Sequence, residues 1–172
     1  FFCPGGTCIN SSHRPNKPYS TPPLAIYGSV FAGLTNGQVV RFNGNATIEQ
    51  KVFQADSKIV GGPIAGPAGQ IVVTTANGTL YSLTKDLEVR WQRSVPGNLN
   101  GIPAYSADAV YVVSGDVLRA YNPFSGALLW NRNLGNGAGH GSASVGYGRE
   151  IYMQTSGGKV FAYGEGWKYG VD

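Results

Sequence analysis

Four short phrases set the frame of this chain. Asn36-Gly37-Gln38-Val39-Val40-Arg41-Phe42, Asn77-Gly78-Thr79-Leu80-Tyr81-Ser82-Leu83, Gly115-Asp116-Val117-Leu118-Arg119-Ala120-Tyr121 and Gly157-Gly158-Lys159-Val160-Phe161-Ala162-Tyr163 each place a turn pair before a run of branched and aromatic residues. Anchored on Gly37, Gly78, Asp116 and Gly158, they lie 41, 38 and 42 residues apart. A period of this length is one supersecondary unit repeated, each copy relying on its neighbours to bury its faces.

Each unit carries the same elements in the same order. A short strand follows a Gly or Pro, at 24–27, 64–65, 103–105 and 142–145. A strongly apolar strand comes next, at 30–34, 71–75, 110–113 and 151–155. The anchor turn leads to a third strand, and in the better units a fourth carries Trp. Runs such as Ile71-Val72-Val73-Thr74-Thr75 suit strands covered on both faces. Four strands in about 40 residues, joined by short turns, make an antiparallel meander. The expected fold is all-β: four propeller-type blades of antiparallel four-stranded sheet, forming an open arc or part of a larger propeller. The approximate units are 24–61, 62–100, 101–140 and 141–172. Residues 1–23, rich in Pro, Ser and Thr after a cysteine ring, read as an extended arm.

The phrase from Tyr121 to Trp130, YNPFSGALLW, resembles the repeat of the pyrroloquinoline-quinone-type (quinoprotein-like) β-propeller family. In that family a Gly closes the turn after the third strand, and Trp follows it by four positions, as Gly126 and Trp130 do here. The second unit keeps Trp91 but has Leu87 where the Gly belongs, and the first unit has no Trp. The resemblance covers residues 24 to about 168 and implies blade architecture. The dehydrogenases of the family also use a vicinal disulfide, a calcium ion and a catalytic Asp, and this chain has no Cys-Cys pair. The Trp rings are expected to fill the wedge between blades, each burying about 150–250 Å², while the glycine permits the turn. Trp91 and Trp130 are therefore expected to be blade-packing residues, with sugar stacking as their alternative role.

Only 13% of the residues are charged, and the 13 Lys and Arg are scattered from Arg14 to Lys168, so no basic track marks a nucleic-acid partner. No segment reaches the 18 or so apolar residues of a membrane span. Cys3 and Cys8 flank Pro4, Gly5, Gly6 and Thr7, a spacer that lets the chain turn back, and a disulfide between them is expected. Asn10, Asn45 and Asn77 each open an N-x-Ser/Thr sequon. Ring and sequons together predict a secreted, glycosylated chain.

No spacing points to catalysis. Most of the nine acidic residues fall at turns; Asp86 and Glu88 flank one. His140 lies in a glycine-rich run that matches neither phosphate-binding pattern. No catalytic, cofactor-binding or metal residue is assigned, and no cofactor is expected. The expected function is a non-enzymatic scaffold that self-associates head to tail through its chain ends, in a filament rather than a ring, with the arm and its Phe1-Phe2 supplying a contact. The alternatives are a carbohydrate-binding module and a fragment of a larger quinoprotein-like enzyme.

Overall fold

The computed structural model describes residues 17–44, 48–99, 101–135, 141–146, 150–154, 158 and 160–164. Within these it is all-β apart from one short 3-10 turn at Pro67–Gly69. Four antiparallel sheets follow one another in chain order. The first holds β1 (Leu24–Ile26), β2 (Ser29–Gly33), β3 (Gln38–Asn43) and β4 (Glu49–Gln54). The second holds β5 (Ile59–Ala65), β6 (Ile71–Thr75), β7 (Thr79–Leu83) and β8 (Val89–Ser94). The third holds β9 (Ala104–Tyr105), β10 (Val110–Ser114), β11 (Val117–Tyr121) and β12 (Leu128–Asn133). The fourth shows three strands among the described residues: β13 (Ala143–Val145), β14 (Ile151–Gln154) and β15 (Val160–Tyr163). Strands pair in sequence order in every sheet, so each is one meander.

The anchors of the repeat are hydrogen-bonding posts. The N–H groups of Ala55, Val95 and Leu134, each just past an outer strand, donate to the carbonyls of Gly37, Gly78 and Asp116 at 2.9, 2.8 and 2.8 Å. Each bond ties the end of a fourth strand to the turn before the third. Each outer strand also has a register irregularity at one position, opposite Arg41/Phe42, Ser82/Leu83 and Ala120/Tyr121. A bulge there twists the exposed edge.

A second period runs along the innermost strands. β5 begins at Ile59, well before Ile64, and passes through Gly61-Gly62-Pro63 with two register shifts. A Cβ added to Gly61 would collide with the carbonyl oxygen of Gly101, one on Gly101 with that of Gly141, and one on Gly141 with that of Gln154. Gly61, Gly101 and Gly141 are 40 residues apart. At Gly61 and Gly101 the inner edges of successive sheets approach backbone to backbone, while Gly141 meets β14 of its own sheet.

Neighbouring sheets are joined by three apolar cores. Phe31, Val39, Ile59, Ile71, Val73, Tyr81 and Leu83 lie between the first and second sheets. Val72, Leu80, Trp91, Val110, Val112 and Tyr121 lie between the second and third. Tyr111, Val113, Leu118, Ala120, Ile151 and Met153 lie between the third and fourth. On the third strands, the second and fourth residues after the anchor face the following sheet and the third and fifth face the preceding one. No comparable contact closes the fourth sheet onto the first among the described residues, so the sheets form an open arc.

The inner glycines generate a test. Gly101→Ala meets immovable backbone at an ordinary φ and should lower stability by about 1–3 kcal/mol, as overpacking does. Gly115→Ala has a positive φ of 54° but nothing within 4 Å, so it should cost only about 1 kcal/mol. Urea unfolding of the two variants checks the order; a larger loss at Gly115 contradicts the close approach.

Candidate functional site

The joints between blades are where chemistry-bearing side chains meet, and the second joint shows the arrangement in full. After β11 the chain turns through Asn122–Gly126. The Asn122 side-chain oxygen accepts from the N–H groups of Phe124 and Ser125 at 2.9 and 3.0 Å, and the Gly126 N–H donates to the Asn122 carbonyl at 2.8 Å. Side-chain capture of this kind is the usual reason for Asn at a turn start. The turn lies against β8 of the preceding blade. The Trp91 indole N–H donates to the Pro123 carbonyl at 2.8 Å, and the Gln70 amide donates to the same oxygen at 2.7 Å. Arg93 donates to the carbonyls of Gly126 and Ser125 at 2.8 and 2.7 Å. The ring of Trp91 is 6% exposed. A Cβ on Gly126 would come within 2.6 Å of it, and Gly126 has a φ of 68°. That glycine therefore serves the turn and leaves the space that a Trp from another blade fills.

The first joint solves the same problem with different residues. Lys51 on β4 stands at the register position of Trp91 on β8: Lys51 is opposite Arg41, and Trp91 is opposite Ser82. The turn after β7 then carries Leu87 where the next blade has Gly126, with a φ of 60°. Leu87 is buried in the joint core beside Phe53 and Tyr81. Its side chain fills the volume that no Trp occupies, at the cost of a left-handed backbone of about 1–2 kcal/mol. Arg41 pairs with Asp86 of that turn, and Lys51 Nζ lies 3.5 Å from Glu88. Both pairs are exposed enough for solvent to weaken them to at most about 1 kcal/mol each. Asp86 and Glu88 thus meet basic partners across the joint and are not brought together as a catalytic pair.

In the third joint the ring is less enclosed. Trp130 is opposite Ala120 and Arg132 opposite Leu118, the same two positions that Trp91 and Arg93 hold on β8. Trp130 is 36% exposed, and its ring rests beside Tyr111 at 5.9 Å between centroids. Trp91 and Trp130 are thus both placed at a joint, the first fully enclosed and the second in part. All six residues of β12 are exposed, including Leu128 and Leu129.

Asn77 is an exposed turn residue whose backbone N–H donates to the Ser57 hydroxyl at 3.0 Å. Cys3, Cys8, Asn10, Asn45, Phe1 and Phe2 lie outside the described residues, as does His140. No group of three His, Cys, Asp or Glu comes together among the described residues, and the two cysteines are not adjacent in sequence. Cys3 and Cys8 therefore cannot form a vicinal disulfide with each other. No helix among the described residues is long and apolar enough to cross a membrane.

A model of the family described as outer membrane protein assembly factor BamB matches residues 35–165. The chain belongs to this family of PQQ-type β-propeller repeats. Among curated proteins no relative matches. Solved structures share the fold. BamB from Moraxella catarrhalis superposes with a TM-score of 0.66 at 17% identity, over 79% of this chain and 46% of BamB. The chain thus spans about half the length of that relative. The computationally designed Ika4 protein superposes with a TM-score of 0.74 at 12% identity, over 92% of this chain and 98% of Ika4. The quinohemoprotein alcohol dehydrogenase from Comamonas testosteroni gives a TM-score of 0.59 at 13% identity, over 68% of this chain and 21% of that one. The PQQ-type fold is therefore shared with an assembly factor, a designed protein and a dehydrogenase.

The joints predict that opposite substitutions at one turn position are both destabilising. Leu87→Gly relieves a strained backbone but removes a buried side chain, a net loss of about 1–3 kcal/mol. Gly126→Ala gains nothing and pushes on Trp91; it should cost about 2–4 kcal/mol and shift Trp91 emission to longer wavelength. Thermal melts with tryptophan fluorescence measure both. An unmoved emission in Gly126→Ala removes the contact from the account.

Proposed function

We propose that this PQQ-type propeller chain is a non-enzymatic module that works by binding polypeptides, in a secreted and glycosylated setting, and that it self-associates through an open end of its arc. The observation that carries this reading is the difference between the two end faces. Ala32, Val40 and Phe42, on the face of the first sheet turned away from the second, are at most 3% exposed. On the corresponding outward face of the fourth sheet, Tyr152 is 41% and Val160 65% exposed. Every other blade face in the arc is covered by a neighbour. An uncovered blade face favours a partner of the same kind, because apolar area leaving water contributes about 25 cal/mol per Å².

A head-to-tail filament needs both end faces free. With the first sheet's face already buried in the single chain, the reading favours a closed pair joined through fourth sheets. The exposed turn position of Asn77 supports a glycan there, and the motif at Asn45 predicts another.

Light scattering across a concentration series tests the assembly. A dimer that dissociates with Tyr152→Lys plus Val160→Lys is expected. A monomer at all concentrations, or a dimer unaffected by the pair of lysines, contradicts it. Glycopeptide mass spectrometry of native material should find sugar on Asn77, and Asn77→Gln should remove that mass; bare Asn at all three sequons contradicts the glycosylated setting.

A further inference from the structure

The turn at residues 122–126 is held from two sides, yet the side chain at its apex faces water. From within, Asn122 accepts from the N–H groups of Phe124 and Ser125. From the second sheet, Gln70, Trp91 and Arg93 donate to the carbonyls of Pro123, Ser125 and Gly126. Phe124 is nonetheless 60% exposed, and Leu128 and Leu129, which follow the turn, are about half exposed. A phenyl ring kept in water adds no burial to the fold, so the rigid turn presents it outward. Three exposed cations stand around it: Lys85, Arg90 and Arg93. Arg93 donates to the turn directly. Arg90 donates to the Ala68 carbonyl at 2.8 Å, and a Cβ on Gly69 would lie 4.0 Å from that of Lys85. Gln70, next in the chain, carries that segment onto Pro123. The acids beside Lys85, Asp86 and Glu88, pair with Arg41 and Lys51 at the first joint.

We propose that Phe124, with Leu128 and Leu129 beside it, is a peg that inserts into an anionic lipid surface, while Lys85, Arg90 and Arg93 meet the headgroups. The shape and the charge both point to this partner. A side chain at the apex of a turn is convex, so its receiver must yield, and the interface of a bilayer does. Aromatic rings settle at the level of the headgroups. Cations held next to the inserted group are drawn to anionic lipid, and their attraction adds to that of the apolar area. The matching turn of the second unit carries the exposed Lys85 and no exposed ring, so peg and cation come from equivalent turns of adjacent units. The topology orients the molecule as well. The peg follows a third strand and Asn77 follows a second strand, so the two lie at opposite ends of the sheets. A glycan on Asn77 points away from the lipid in this arrangement. The peg is separate from the open face of the fourth sheet, so it stands whether or not the chain self-associates.

Sedimentation of the full chain with vesicles of equal parts phosphatidylglycerol and phosphatidylcholine tests the peg. The chain should bind these vesicles, be released by added salt, and bind phosphatidylcholine alone far more weakly. Phe124→Ser should weaken binding about tenfold or more at an unchanged urea midpoint, because the ring is exposed. Phe124→Trp should restore binding and add an emission that moves to shorter wavelength on the vesicles. Lys85→Gln plus Arg90→Gln should weaken binding roughly 20–30-fold, about fivefold for each cation. Val52→Ser, at an exposed apolar position on the first sheet, should change nothing. The proposal is overturned if the vesicles are not bound, if phosphatidylcholine alone is bound equally well, or if Phe124→Ser binds as tightly as the unaltered chain. It is also overturned if Val52→Ser weakens binding as much as Phe124→Ser. Retention of the chain on an immobilised polyglutamate peptide, with the vesicles left unbound, assigns the peg to an acidic polypeptide and overturns the lipid partner too.

Discussion

A blade of this kind has two apolar faces, and neither tolerates water. Every other feature of the chain depends on what each blade sets across the joint to its neighbour. The second joint alone buries eight residues, from Val72 to Tyr121, each contributing about 1.5–3 kcal/mol. The Trp91 bond to Pro123 contributes about 1 kcal/mol beside that. Burial therefore supplies the stability, and the hydrogen bonds decide position. They fix which turn lies over which strand, and so fix the angle at which one sheet meets the next. The inner edges allow little adjustment, because Gly61 and Gly101 approach the next blade's backbone too closely for a single methyl group.

The outline of the fold was legible because its cause is local. Alternation and turn pairs mark strands wherever they occur, and the anchors Gly37, Gly78 and Asp116 hold the same post in every complete blade. The joints were less legible because their partners are far apart in sequence. Gly126 and Trp130 belong to one motif, yet they act in different joints: Gly126 receives Trp91, and Trp130 points to the next blade. The glycine's role in the turn was readable from the motif, and its role as the receiver of a ring was not. A signal was present even so. The unit without Trp, at Lys51, is followed by the unit without Gly, at Leu87. Two departures from a motif in consecutive units are what a shared joint produces when one side loses bulk and the other gains it. The glycines 61, 101 and 141 carried a second unread signal, a strict 40-residue spacing on strands whose side chains say little.

The joints also show why residues that look chemical are structural here. Arg41, Asp86, Lys51 and Glu88 form two ion pairs in the position where Trp91 and Gly126 make an apolar contact. Charged side chains at a blade rim keep contact with water and lose little by remaining there, so a rim can exchange aromatic packing for charge without unsettling the core beneath it. The core itself changes less: Ile71, Leu80, Val110 and Leu118 are wholly buried. The variation between units falls at the periphery, which is where a repeat can acquire binding properties without losing its fold.

That asymmetry between centre and rim sets how this arc can meet other molecules. At Gly61 and Gly101 the inner edges leave no room for a side chain, so differences between units that could set specificity fall on the outer strands and the turns beside them. Of the three complete outer strands, β4 and β8 are tied to the following blade, by Lys51 and Glu88 in one case and by Trp91 and Arg93 in the other. On β12 the Trp and Arg are retained at the same register positions. A pair of donors already held on a rigid strand loses little conformational entropy on meeting a ligand. The same feature that makes a joint strong within the chain, donors fixed by the sheet behind them, decides which turn each outer strand can hold.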